Sequence, residues 1–146
     1  MISLSKPVIS EEEKQAVMRV LDSGMIAQGP EVAAFEDEFS LFMEGHHCIA
    51  VNSGTSALHL GLLASGIECG DEVIIPSFTF AATANAVALC GATPVFVDID
   101  IETFTMDPKA AEAAITENTS AIMPVHLYGH PTNMDPLIEI CSRKSL

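Results

Sequence analysis

Val51-Asn52-Ser53-Gly54-Thr55-Ser56-Ala57-Leu58-His59-Leu60 is the stretch that decides how this chain is read. Residues 48–51, ahead of the turn, have the composition of a short buried strand. After it, Leu58, Leu60, Leu62 and Leu63 with small residues between them predict a packed helix over 56–65. A strand that turns through Ser-Gly-Thr-Ser into a helix leaves several backbone N–H groups without partners. The helix dipole adds positive potential at the same point. Gly54 lets a ligand approach the backbone, and hydroxyls stand beside it, so the turn suits a phosphate. The same residues also describe an ordinary capped helix start. Local chemistry alone leaves both readings open. The turn is neither a Walker loop nor a dinucleotide fingerprint, because it has no Gly-Lys-Ser/Thr and no G-x-G-x-x-G.

The alternation seen here repeats downstream. Strand-like residues 72–76 precede a helix within 81–90, stopped by Gly91. Residues 94–97 precede a helix over 108–115, capped by Asp107. Residues 121–125 precede a helix from 136 to about 143, capped by Asp135. Four strands alternating with helices predict a three-layer α/β sandwich with a mainly parallel sheet. In such sheets ligands bind beyond the carboxyl ends of the strands. The loops expected there are 52–56, 77–80, 98–107 and 126–134.

Upstream, residues 1–45 read as a helical segment. Ser10-Glu11-Glu12-Glu13 is a capping box that opens a helix ending at Gly24. Gly29-Pro30-Glu31 opens a second helix. Val32, Phe35, Phe39 and Phe42 form its apolar face, a core or interface stripe, and Gly45 ends it.

Composition narrows the partners. The 146 residues suffice for one domain with a core, and 49% are hydrophobic. Net charge is −14, from 20 acidic and 6 basic residues. That argues against nucleic acid and anionic membranes as partners. No Lys or Arg lies between Arg19 and Lys109, so a phosphate at the Ser53–Ser56 turn would rely on backbone dipoles. No apolar run is long enough to span a bilayer, and residues 1–7 lack the apolar core of a signal peptide. Cys48, Cys69, Cys90 and Cys141 have no metal-ligand or CxxC spacing, so no metal site is expected. They read as reduced thiols of a cytoplasmic protein.

Five segments together carry a resemblance. They are Gly24-Met25-Ile26-Ala27-Gln28-Gly29-Pro30-Glu31, the 51–60 stretch, Pro76-Ser77-Phe78-Thr79-Phe80-Ala81-Ala82-Thr83-Ala84-Asn85-Ala86-Val87, Pro94-Val95-Phe96-Val97-Asp98-Ile99-Asp100, and Pro124-Val125-His126-Leu127-Tyr128-Gly129-His130-Pro131. In order and spacing the chain resembles the DegT/DnrJ/EryC1/StrS family of pyridoxal-phosphate-dependent sugar aminotransferases. The resemblance implies the N-terminal part of the large domain of the aspartate-aminotransferase (type I) fold, with residues 46–146 forming a partial cofactor-binding domain. It implies that Gly54, Thr55 and Ser56 bind the phosphate of pyridoxal 5'-phosphate, and that Phe80 stacks on the pyridine ring. Thr83 would make a contact near the ring, and Gln28 and Gly29 would lie near the sugar. His126 and Tyr128 match a segment below the cofactor, where structural hydrogen bonds are expected. Asp98 and Asp100 look structural.

In the family, an Asp that pairs with the pyridine nitrogen and a Lys that bonds the cofactor both follow further on. Lys6, Lys14, Lys109 and Lys144 match neither the position nor the context of that lysine. No catalytic residue is therefore expected within this chain, which reads as the inactive front part of a longer enzyme. That enzyme would move an amino group, usually from glutamate, to a nucleotide-linked keto sugar, for polysaccharides or secondary metabolites, and would work as a homodimer. Alternatives are a same-family sugar dehydratase using the pyridoxamine form, a non-catalytic remnant, and a plain nucleotide-binding module. By itself the chain is expected to be poorly soluble or oligomeric, because a partial sheet exposes an edge and apolar faces.

Overall fold

The computed structural model describes residues 6–146. Residues 1–5, part of the stretch read above for a signal peptide, lie outside the described residues. Two compact units are present, Met1–Ala50 and Val51–Leu146.

The first unit holds two helices, α1 (Glu11–Ser23) and α2 (Pro30–Phe42). The capping box forms as the sequence predicts. Ser10 N–H donates to Glu13 Oε2 at 2.6 Å, and Ser10 Oγ accepts from Glu12 N–H at 3.2 Å. The Ser10 hydroxyl also donates to Glu13 Oε2, and this bond, with the one from Ser10 N–H, holds the Glu13 carboxyl below its ordinary value. Gly24 ends α1 in the left-handed conformation, φ 71°, with its N–H on the Leu21 carbonyl. On α2 the phenylalanines stack along one face, with Phe35 and Phe39 ring centroids 5.6 Å apart and Phe39 and Phe42 6.0 Å apart. No side chain of either helix is buried.

The expected strand at 48–51 does not form. A strand exists only with a ladder partner, and these residues have none among the described residues. The Ala50 N–H instead donates to Glu36 Oε1 at 2.8 Å, and Ile49 is exposed. The sheet therefore has three strands here rather than four.

The second unit opens with α3 (Gly54–Ala64), followed by β1 (Glu72–Pro76), α4 (Ala82–Leu89), β2 (Thr93–Val97), α5 (Pro108–Ala113), β3 (Thr119–Ile122) and α6 (Met134–Lys144). The sheet order is β2-β1-β3, and both pairings are parallel. β1 is the central strand, and Val73, Ile74 and Ile75 are fully buried on it. Because side chains alternate along a strand, it feeds two cores. Val73 and Ile75 pack with Leu62, Ile67, Ala86 and Val87 on the α3/α4 side. Ile74 packs with Val97, Met106, Ala111 and Leu137 on the α5/α6 side. Each such side chain is stabilised by about 1.5–3 kcal/mol relative to an exposed one. The expected α/β three-layer arrangement is thus present. From β1 the chain moves sideways to β2 through α4, then back across β1 to β3 through α5. Two crossovers of one hand that travel in opposite directions must lie on opposite faces, as α4 and α5 do.

Several boundaries move for identifiable reasons. α3 begins at Gly54, two residues early, because Ser53 caps it. β3 begins at Thr119 rather than residue 121, because the Glu72 N–H already bonds the Asn118 carbonyl at 2.9 Å. Its ladder ends after the Met123 N–H reaches Ile74 O, since Pro124 has no N–H to continue it. Asp107 caps α5 as expected, its carboxylate accepting from Lys109 N–H at 2.9 Å. At α6 the cap is Asn133, and Asp135 sits in the first turn, where its charge complements the helix dipole.

Candidate functional site

The turn at the head of α3 is held by its own hydroxyls. Ser53 is extended, φ −162° and ψ 157°, and its Oγ accepts from Ser56 N–H at 3.1 Å. Ser56 Oγ donates to Asn52 Oδ1 at 2.7 Å and lies 3.0 Å from Ser53 Oγ. Short polar side chains at a helix start bond locally in this way. The Ser56 N–H and hydroxyl are therefore already engaged. The N–H groups of Gly54 and Thr55 and the Thr55 hydroxyl have no protein partner among the described residues. A Cβ added at Gly54 would meet nothing within 4 Å, so the approach to these groups is open. The arrangement can accept an anion with two backbone donors, one hydroxyl and a helix dipole.

α3 leads through residues 65–71 into the amino end of β1. Its N-terminal turn is therefore directed toward the carboxyl end of the strands, where the loops after β1, β2 and β3 emerge. Phe80 lies in the first of these and is 78% exposed. Its carbonyl accepts from Thr83 N–H at 3.0 Å. Thr83 is buried, and its hydroxyl pairs with Thr79 Oγ1 at 2.9 Å. Thr83 thus pins the loop that presents Phe80.

Gln28 and Gly29 belong to the other unit. Gly29 caps α2, and its carbonyl accepts from Val32 and Ala33 N–H. It borders a cleft of about 280 Å³ with Arg19, Ser23, Met25 and Glu31, and Gln28 is exposed.

Asp100 Oδ1 accepts from the N–H groups of Glu102 and Thr103, and the Asp98 carbonyl accepts from Asp107 N–H. Both residues shape the loop after β2, which is closed by an antiparallel bridge between Ile99 and Met106. Among the described residues no cluster of three or more His, Cys, Asp or Glu side chains could hold a metal. The four cysteines are free.

Sequence reasoning missed one feature. Phe78, Thr103, Phe104, Leu127, Tyr128 and His130, drawn from the loops after all three strands, line a cleft of about 390 Å³. The Phe78 and Phe104 rings are 6.0 Å apart. Phe104 and Tyr128 take left-handed backbones, φ 57° and 52°. A non-glycine residue in that region carries no reliable sequence mark, so the cleft could not have been drawn from the chain alone.

Comparison with known proteins gives these features a setting. The chain is 47% identical to GDP-perosamine synthase of Caulobacter vibrioides, over 99% of this chain and 39% of that protein. It superposes on S. venezuelae DesV, solved in complex with a ketimine intermediate, with a TM-score of 0.87 and 50% identity, over 92% of this chain and 36% of that one. It superposes on Spr1654 from Streptococcus pneumoniae in its PLP form with a TM-score of 0.92 and 40% identity, over 98% and 36%. The chain thus spans little more than a third of the length of these relatives. No helix among the described residues is long and apolar enough to cross a membrane. Residues 7–146 match the family profile, and the chain belongs to the DegT/DnrJ/EryC1/StrS aminotransferase family.

Proposed function

We propose that this chain supplies the phosphate-binding and ring-stacking part of a pyridoxal-phosphate-dependent aminotransferase that acts on a nucleotide-linked keto sugar. The observation that carries the reading is the open turn at Gly54 and Thr55, with unpartnered donors at the head of an eleven-residue helix. Those residues fit the phosphate of the cofactor. Gly54 and Thr55 would hold it through two backbone N–H groups and the Thr55 hydroxyl. Ser56 would act indirectly, because its hydroxyl fixes Asn52 and its N–H fixes Ser53. Phe80, exposed at a strand end, would lie against the pyridine ring and hold it flat. When bound, the cofactor supplies the electron sink that amino-group transfer needs. Gln28 and Gly29 are assigned to the sugar.

No lysine of this chain is assigned the covalent bond to the cofactor. Lys14 pairs with Glu11 at 3.5 Å on α1, Lys109 is in the first turn of α5, and Lys144 ends α6. That step, the pairing with the pyridine nitrogen, the homodimer and the choice of glutamate as donor are assigned to the complete protein that carries this chain. A cytoplasmic setting accords with the four free cysteines.

The test is an absorbance titration of the complete protein with pyridoxal phosphate and, separately, with pyridoxal. The phosphate form should bind at least roughly tenfold tighter, and Thr55→Val should lose a similar factor. Equal binding of the two forms would sink the phosphate assignment. Borohydride should trap no adduct on Lys6, Lys14, Lys109 or Lys144. An adduct mapped to one of them would refute the lysine assignment.

A further inference from the structure

The turn after β3 contains a locked histidine. Thr132 is buried, at 4% exposure. Its backbone N–H donates to His126 Nδ1 at 3.0 Å, and its hydroxyl donates to the Val125 carbonyl at 2.9 Å. The short 3-10 turn Leu127–Gly129 lies between, closed by Gly129 N–H on His126 O at 3.1 Å and His130 N–H on Leu127 O at 2.9 Å. Tyr128 sits inside it with a left-handed backbone and is almost fully exposed. A ring nitrogen that accepts an N–H carries no proton of its own, so the neutral imidazole must carry its hydrogen on Nε2. Nε2 has no hydrogen-bond partner among the described residues, and His126 is exposed at the carboxyl end of the central sheet.

We infer that His126 is a ligand-binding donor held in one tautomer: Thr132 occupies Nδ1, and Nε2–H is presented to an oxygen acceptor of the ligand at the carboxyl end of the strands. Thr132 is then a positioning residue, and it acts through His126. The inference rests on the reading of that end as the cofactor and sugar site. The shared chemistry is an oxygen acceptor, which either the cofactor or the sugar can supply. A histidine fixed in this way donates and does not serve as a general base through Nδ1.

Nitrogen NMR of the complete protein, labelled at histidine and recorded where the imidazole is neutral, should show Nδ1 as pyridine-type and Nε2 as pyrrole-type. The opposite pattern would overturn the inference even if cofactor binds. Two substitutions separate the two nitrogens. His126→Asn keeps an acceptor near Nδ1 and removes the Nε2 donor. It should leave the Thr132 amide slow to exchange and weaken the ligand by roughly tenfold. His126→Gln keeps a donor near Nε2 and loses the clamp, so it should free the Thr132 amide while costing less affinity. A loss in pyridoxal phosphate affinity assigns the acceptor to the cofactor. A raised KM for the sugar at unchanged cofactor affinity assigns it to the substrate. If His126→Asn changes neither, the histidine is structural and the inference fails. A wild-type protein that takes up no pyridoxal phosphate would instead remove the functional reading beneath it, and the NMR pattern would still test the clamp.

Discussion

Helices α1 and α2 carry no buried side chain, whereas the five residues of β1 include four buried ones. Both regions carry apolar side chains. They differ in how many surfaces meet. β1 is covered on both faces by helices and on both edges by strands, so nearly every atom it carries leaves water. α1 and α2 each offer one apolar stripe, and within their own unit Val17, Met18, Leu21 and Phe35 remain more than half exposed. An amphipathic helix draws its stability from what covers that stripe more than from its own hydrogen bonds. Good caps, such as the Ser10–Glu13 box, define where α1 starts without giving it a core.

The contrast can be broken most directly at its stronger end. Ile74→Ala should destabilise the sheet unit by about 2–5 kcal/mol, because the side chain is fully buried between Val97, Met106 and Leu137. Denaturant melts would show it, and a cost below about 1 kcal/mol would mean that this face of the sheet is not a packed core. Hydrogen exchange then sharpens the contrast. Amides of β1 should exchange at least about a hundredfold more slowly than those in the middle of α1 in the chain by itself. Equal protection would mean that the helical unit has found cover that its own residues do not provide.

The smallest effect concerns the amino end of the sheet. Asp71 accepts from Ser120 Oγ at 2.6 Å and from Glu68 N–H at 2.7 Å, and these bonds hold its carboxyl below the ordinary value. A lowered carboxyl contributes stability above its ordinary pKa, and that stability is lost as pH falls through the lowered one. Ser120→Ala removes the larger cause. The Asp71 titration, followed by carboxyl NMR, should move up toward the ordinary value, and the acid-induced loss of stability should shrink. An unmoved titration would show that Glu68 alone holds the group.

Much of this was legible in the chain because the signals are local. The Ser10–Glu13 box, the stop at Gly24, the Asp107 cap and the full extent of β1 each depend on residues within a turn or a strand of one another. The capped turn from Ser53 to Ser56 was legible in outline for the same reason. Its division of labour was not, since Ser56 turns its hydroxyl to Asn52 and leaves Thr55 free. Whether a hydroxyl faces a ligand or a neighbour is decided by rotamer and packing, which residue type does not specify. The aromatic cleft needed three loops brought to one end and two left-handed backbones, at Phe104 and Tyr128.

By itself the sequence determined the starts of α1, α2 and α5, the alternation of strand and helix from β1 onward, the sparse charge around the Ser53–Ser56 turn, and the family. Tertiary structure alone decided that residues 48–51 form no strand and that the other three lie in the order β2-β1-β3. Residues 48–51 have a strand's composition but remain unpaired, while β1, no more apolar in kind, becomes the centre of the sheet. The reason is that a strand's hydrogen bonds lie outside itself. A helix satisfies its backbone within its own residues, but a strand is completed only by a partner distant in the chain. The lock between Thr132 and His126 is set in the same way, by a turn that must close before the imidazole has a neighbour.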